Sequence, residues 1–225
     1  MRRAALALFA VVLVAIVAAC GGGGGSSSSS PPPALLKPGK LNAKSPQLYS
    51  VKFHTTKGDF VVDVHRTWAP LAAQRFYNLV KNGFYDNAKF FRVVPNFVVQ
   101  FGISPYPTVS KAWNNATIKD DTPSGVTNGR GAVTFASAGP NTRTTQIFVN
   151  MRNNSFLDNQ GFTPFGSIAS GIDVLTKLYS GYGDKPTPRQ GEMMTQGNAF
   201  LEKNYPKLDA IKSAKIISES NPALP

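Results

Sequence analysis

From residue 49 onward, apolar and polar residues alternate. Val51 and Phe53 alternate with Lys52 and His54, and after Thr56-Lys57-Gly58-Asp59 the residues Phe60, Val62 and Val64 alternate with Val61, Asp63 and His65. A period of two on both sides of a Gly-containing turn predicts a hairpin with one buried face, and both histidines fall on the opposite face as solvated strand residues. The period then changes. Pro70 in a first turn, Ala72, Phe76, Leu79 and Val80 at spacings of three and four, and Gly83 as a stop predict a helix, with Thr67 as its cap. Short strands are predicted at 90–94, 97–103, 131–137, 146–150 and 163–168, a second helix at 173–179 and a last strand at 215–218. Many short strands and few helices predict a mainly β fold, a closed eight-stranded antiparallel barrel capped by two helices, because closure removes exposed sheet edges. Residues 180–210, rich in Gly, Pro and polar residues, fit no regular pattern apart from a short helix expected at 199–203.

The chain before residue 48 is organised differently. Met1-Arg2-Arg3 is followed by an apolar stretch over 4–19, too short to span a bilayer comfortably, with small residues leading to Cys20. Residues 1–19 therefore read as a signal peptide. Its end, Val17-Ala18-Ala19-Cys20, resembles a bacterial lipoprotein lipobox, in which cleavage before Cys20 leaves an N-terminal cysteine for lipid attachment. Each buried CH₂ of such a lipid contributes about 0.8 kcal/mol, so more than one chain would anchor the protein durably. Gly at 21–25, Ser at 26–30 and Pro at 31–33 open a flexible spacer expected over 20–47, ahead of a domain over 48–219 and a tail over 220–225. The expected location is the bacterial cell envelope, lipid-anchored and facing the periplasm. Gly21 follows Cys20 where an Asp signals inner-membrane retention in some bacteria, which favours the outer membrane.

Composition limits the chemistry. With 42% hydrophobic residues in 225, the chain can close one core of ordinary size, and its single cysteine rules out an intramolecular disulfide. A net charge of +12 favours acidic partners or surfaces. No block of Lys and Arg and no nucleic-acid motif accompanies that charge, so it is read as a solvated basic surface with no nucleic-acid partner. The two histidines have no Cys or carboxylate cluster beside them, and no G-x-S-x-G nucleophile elbow occurs.

The informative segment is Phe90-Phe91-Arg92-Val93-Val94-Pro95-Asn96-Phe97-Val98-Val99-Gln100, one cation among strand-forming apolar residues. Charge beside desolvated surface is costly unless paired or hydrogen-bonded, so this guanidinium must be aimed at a partner. Two more segments stand out. One is Phe135-Ala136-Ser137-Ala138-Gly139-Pro140-Asn141-Thr142-Arg143-Thr144-Thr145-Gln146-Ile147-Phe148; the other is Phe156-Leu157-Asp158 followed by Phe162-Thr163-Pro164-Phe165-Gly166. Together the three resemble the cyclophilins, a family of peptidyl-prolyl cis-trans isomerases, over roughly 49–218.

The resemblance implies that Arg92 is the catalytic cation, with Phe97 and Gln100 beside it. It also implies that Phe97, Val98, Phe148, Phe156, Leu157 and Phe162 contribute to the proline pocket, that Gln100 and Gln146 hold Arg92 or substrate backbone, and that Ala136 and Ser137 contact the residue before proline. Some positions depart from the family's pattern. Val98 stands where Met is frequent, Ser137 where Asn is, Phe156 where Trp is and Phe162 where His is, while Phe101-Gly102-Ile103 replaces Gly-Gly-Asp. The pocket stays apolar through all of these changes. The implied activity is rotation of X-Pro bonds in exported or envelope proteins by a monomer, without cofactor or metal. Its partners would be proline-containing polypeptides and, through lipid on Cys20, a membrane. A binding module or chaperone that holds proline segments with little turnover is the alternative.

Overall fold

A computed structural model of the chain describes residues 30–221; the expected signal segment, Cys20, the spacer up to residue 29 and residues 222–225 lie outside the described residues. The alternating segments form β1 (Leu48–Thr55) and β2 (Gly58–His65), in antiparallel register from Leu48↔His65 to Thr55↔Gly58. Their apolar face is buried, and the rings of Phe53 and Phe60 stack at 4.7 Å. On the other face His54 meets Asp59 at 2.6 Å, while His65 stacks on Trp68.

The predicted helix is α1 (Pro70–Lys81), which buries Ala72, Ala73, Phe76, Leu79 and Val80. Thr67 does not cap it. The unpaired N–H groups of Leu71 and Ala72 instead donate to the two carboxylate oxygens of Asp121 at 2.7 and 3.0 Å, a negative charge where the helix dipole favours one. Beyond it lie β3 (Arg92–Val94), β4 (Val98–Phe101), α2 (Pro107–Trp113), β5 (Ala132–Phe135), β6 (Ile147–Asn150), β7 (Pro164–Ser170), α3 (Ile172–Thr176), α4 (Gln190–Gln196), α5 (Asn198–Asn204) and β8 (Ile211–Ser220).

All eight strands join one antiparallel sheet in the order β3-β4-β6-β5-β7-β2-β1-β8. The sheet curls into a half-barrel, and the closed barrel expected from the sequence is not formed. The chain just before its edge strands is joined by an isolated Lys89↔Ala210 bridge, where Phe90 N–H donates to Asp209 O at 3.0 Å and Ile211 N–H to Ala88 O at 2.9 Å. The reason is local. β3 is three residues long, and its outer edge is taken up by Gly183, which bridges to Val93. Inside the curl, Phe53, Phe76, Tyr85, Phe101, Phe135 and Phe165 are fully buried, each contributing about 1.5–3 kcal/mol on an area basis.

The expected two helices become five among the described residues. α2, α4 and α5 have seven residues each, about two turns, too few for a period of 3.6 to repeat. α5 covers the short helix expected at 199–203. Together α4 and α5 turn the irregular 180–210 segment into a second small core in which Met193, Phe200, Leu201 and Leu208 pack on Phe91 and Ile103. Ile103, the departure noted after Gln100, is therefore an anchor for this excursion.

The later part of the expected spacer also lies on the domain. Leu35 is buried and its carbonyl accepts from Trp113 Nε1 at 2.8 Å, and Ala43 exchanges hydrogen bonds with the Asn78 side chain at 2.9 and 2.8 Å. Among the described residues, no helix is long and apolar enough to cross a membrane.

Candidate active site

β3 and β4 are joined by a turn in which Pro95 sits at the second position, Asn96 adopts φ 56°, and Phe97 N–H donates to Val94 O at 3.1 Å. Pro followed by a left-handed Asn is the composition of a type II turn. The turn fixes the register Arg92↔Gln100, Val93↔Val99, Val94↔Val98. Because a strand's side chains alternate, Val93, Val99 and Phe101 enter the main core while Arg92, Val98 and Gln100 project from the other face. β6 continues the surface, with Phe148 opposite Gln100.

On this outer face Val98, Phe148 and Leu157 form a separate apolar cluster, with Phe97, Ala136 and Phe162 packed against it. They line an open cavity of about 240 Å³ whose polar wall carries Arg92, Gln100, Ser137, Thr187 and Gln190. Phe162 stands edge-on to Phe148 at 5.7 Å. Phe156 is half exposed outside this cavity and stacks on Phe97 at 6.3 Å. Gln146 also stands behind the wall. Its Oε1 accepts from Gln100 Nε2 at 2.9 Å and its Nε2 donates to Gln190 Oε1 at 2.8 Å.

Arg92 lies at the mouth, its side chain 24% exposed and its guanidinium carbon 5.3 Å from the centre of the Phe97 ring. Nη1 donates to Gln100 Oε1 at 3.3 Å, and Nε donates to Asp184. Nη2 has no bonded partner among the described residues. The guanidinium is thus tethered through Nε and Nη1, and Nη2 keeps its donors. Asp184, Thr187 and Gln190 all come from the 180–210 excursion, whose pattern gave no hint of a role.

Buried polar groups hold the walls. Asn128, Asn150 and Asn154 are fully buried and share hydrogen bonds: Asn150 Nδ2 donates to Asn128 Oδ1 at 3.1 Å and Asn154 Nδ2 to Asn150 Oδ1 at 2.9 Å. The same trio reaches each apolar wall. Asn154 Nδ2 donates to Phe97 O at 2.9 Å, while Asn128 Nδ2 donates to Phe162 O and to Asp158 Oδ1, both at 2.7 Å. Asn154 Oδ1 has no partner among the described residues, but every other side-chain amide atom of the trio is hydrogen-bonded, and because buried amides are costly unless satisfied these bonds hold the pocket's geometry.

The loop from Ala136 to Gln146 is fixed by a buried ion pair. Arg143 is 3% exposed; its Nη1 donates to Asp121 Oδ2 at 2.9 Å, its Nη2 to Lys119 O, and its Nε lies 3.1 Å from Asp120 Oδ1 but off the hydrogen-bond line. Asp121 thereby joins this loop to the start of α1. From α1, Arg75 donates to Thr144 O at 3.0 Å, and burial pushes its pKa down to about 10. Gly102, at φ 109°, lets β4 pass the loop's end, since a Cβ there would meet Thr145 O at 2.6 Å.

Comparison with known proteins gives a consistent picture. Residues 50–198 match the family described as cyclophilin type peptidyl-prolyl cis-trans isomerase/CLD. The chain is 32% identical over 173 residues to a peptidyl-prolyl cis-trans isomerase of Acinetobacter baylyi, covering 75% of this chain and 82% of that protein. It is 28% identical over 177 residues to peptidyl-prolyl cis-trans isomerase B of Escherichia coli, covering 75% and 99%. Among solved structures, a Cryptosporidium parvum cyclophilin-type isomerase crystallised in the presence of the dipeptide Ala-Pro superposes with TM-score 0.56 at 22% identity, covering 76% of this chain and 99% of that one.

Proposed function

The chain belongs to the cyclophilin-type peptidyl-prolyl cis-trans isomerases, and from that premise we propose that the cavity beside Arg92 grips the proline ring while Arg92 supplies the donor that makes X-Pro rotation fast. An X-Pro bond resists rotation through amide resonance, with a barrier of about 18–20 kcal/mol and uncatalysed exchange over tens of seconds or longer. At the twisted transition state the prolyl nitrogen turns pyramidal and becomes an acceptor. A donor fixed at that point stabilises the transition state more than either planar ground state. One observation carries the reading: Arg92 is tethered through Nε and Nη1 at the rim of an apolar cavity, with no bonded partner on Nη2 among the described residues. Arginine stays protonated at any usable pH, so this step uses no general acid, base or nucleophile.

The walls have the complementary task. Phe97, Val98, Phe148, Leu157 and Phe162 hold the pyrrolidine ring, so that rotation is confined to the preceding carbonyl. Ala136 and Ser137 contact the residue before proline, and Gln100 and Gln146 keep the polar side in register with the backbone. Phe156 acts only through its stack on Phe97. The C. parvum relative crystallised with Ala-Pro supports a proline dipeptide as the minimal ligand unit of such a cavity. Exchange spectroscopy on a short X-Pro peptide tests the proposal: catalytic amounts of the full chain should speed cis-trans exchange, and saturable binding without acceleration would leave only a proline-binding module.

We further propose that the isomerase works on exported or envelope proteins as a monomer tethered by lipid on Cys20, the outer membrane being favoured. The support is in the sequence, where Val17-Ala18-Ala19-Cys20 precedes the Gly, Ser and Pro run. Lipid labelling with membrane fractionation tests it. Label lost in Cys20→Ala is the expected outcome, and unlabelled, freely soluble parent protein would end the anchoring proposal.

A further inference from the structure

We infer that Asp184 is a positioning residue for the isomerase, holding the Arg92 guanidinium in its working orientation; this rests on the reading of Arg92 as the transition-state donor. The antiparallel bridge between Val93 and Gly183 places residue 184 directly across from residue 92, so the backbone itself delivers this carboxylate to Nε. The bridge is in turn held by the second core, where Tyr182 packs beside Met193, Phe200 and Leu201. Pro186 is buried two residues on, and Gln190 bonds to Gln146 at 2.8 Å, so the excursion meets the site at both ends of the polar row.

The geometry suits orientation. Arg92 stands on a three-residue edge strand, and its second tether, Nη1 to Gln100, is long at 3.3 Å. Asp184 takes Nε, the nitrogen nearest the backbone, and Nη2 of this cavity-lining side chain has no bonded partner among the described residues. An arginine freed of its carboxylate regains much of its rotamer freedom, and only a fraction of its conformers would aim Nη2 at a bound prolyl nitrogen. The carboxylate is mostly exposed, so it contributes little to folding.

Asp184→Ala, Asp184→Asn and Arg92→Ala in the full chain test the inference, with kcat and KM on one X-Pro peptide, the thermal midpoint, and the Arg92 Hε–Nε NMR resonance as readouts. Asp184→Ala should lower kcat about tenfold with KM and midpoint nearly unchanged, the order of loss expected when a catalytic group is no longer pre-oriented. Its Arg92 Hε signal should broaden through solvent exchange. Asp184→Asn keeps an acceptor and should fall between Ala and parent. If Arg92→Ala is inactive while Asp184→Ala matches the parent, Asp184 has no such role and the catalytic reading stands. If Arg92→Ala is fully active, both fall. A rise in kcat for Asp184→Ala overturns the inference too, because the carboxylate would then be competing with substrate for the guanidinium.

Discussion

Arg92→Ala, paired with Arg92→Lys, separates catalysis from folding at this site. The side chain is 24% exposed, its ion pair with Asp184 is at the surface, and its ring contact is with the partly exposed Phe97. A surface ion pair is worth about 0–1 kcal/mol and an exposed cation-π contact about 0.5–1 kcal/mol, so truncation should cost at most about 2 kcal/mol of stability. Over a domain of this size that lowers the thermal midpoint by about 4–8 °C at most. The transition state loses more. Removing one pre-organised donor from developing charge or basicity costs about 2.7–4 kcal/mol, a drop of about 10²–10³ in kcat. Lysine keeps the charge but not the fork, so it cannot hold Asp184 and Gln100 while also donating into the cavity; Arg92→Lys should fall between parent and Arg92→Ala. Exchange spectroscopy gives the rates and a thermal melt gives the fold. An Arg92→Ala protein that melts normally and keeps kcat/KM within about threefold of the parent would refute the donor role, since that ratio corresponds to less than 1 kcal/mol.

Asp121→Asn removes the charge that answers Arg143 and the first N–H groups of α1, and breaking a buried pair costs about 3–5 kcal/mol; the residual contact with Asp120 puts the expectation at the lower end, read as a fall of about 6–12 °C in thermal midpoint. An unchanged melt would mean that water satisfies Arg143. Tyr49 and Tyr85 are buried and donate to Ala73 O and Thr145 O at 2.6 and 2.9 Å, and burial pushes both pKa values well above the ordinary tyrosine range. Unfolded tyrosine ionises near pH 10 while these keep their protons when folded, so their share of stability is complete below about pH 10 and declines above it by up to about 1.4 kcal/mol per pH unit for each. Denaturant midpoints measured across that range should fall; native-state ionisation of all seven tyrosines together would contradict it. Phe97→Ala opens one wall of the cavity and also removes the support of Phe156, so activity should drop with a loss of about 1–3 kcal/mol, less than for a fully buried Phe, whereas unchanged kcat/KM would take Phe97 out of the ring-gripping set.

How much of this was legible depended on range. β1, β2 and α1 were readable because each repeats its period several times within one element, and the apolar faces assigned to Val51, Phe53, Phe60, Phe76 and Leu79 are the buried ones. The cap of α1 was not, because Thr67 and Asp121 compete for the same N–H groups and only the tertiary fold decides between them. Arg92 stood out as a cation among apolar residues, yet its acidic partner did not, since Asp86, the nearest acidic residue in sequence, bonds to Ala214 instead and Asp184 arrives by a backbone bridge. Asn128, Asn150 and Asn154 gave no signal either. Asparagine usually marks turns and caps, and three of them buried together is a property of the assembled sheet and loops rather than of any local pattern. The barrel expectation failed for a related reason. Closure is one way to satisfy an edge, while here part of one edge is taken by Gly183 of a segment with no strand pattern at all.

Alternation divides the labour within the β3–β4 hairpin. Val93, Val99 and Phe101 belong to the main core, so substitutions there act on folding and reach the cavity only by moving the strand. Arg92, Val98 and Gln100 sit one residue out of phase with them and line the cavity. A shift of one residue in register would exchange the two sets, sending a guanidinium and an amide into the apolar interior, which is prohibitive without partners. The turn at Pro95-Asn96 therefore shapes the proposed site as well as the fold: by fixing Arg92 opposite Gln100 it decides which side chains face the outer cavity and which meet the core. On the far side of β3 the Val93↔Gly183 bridge fixes a second register in the same way, and with it the carboxylate that Arg92 meets. The position of one cation at the rim is thus set by two backbone registers, one local to the hairpin and one supplied by a segment some ninety residues later.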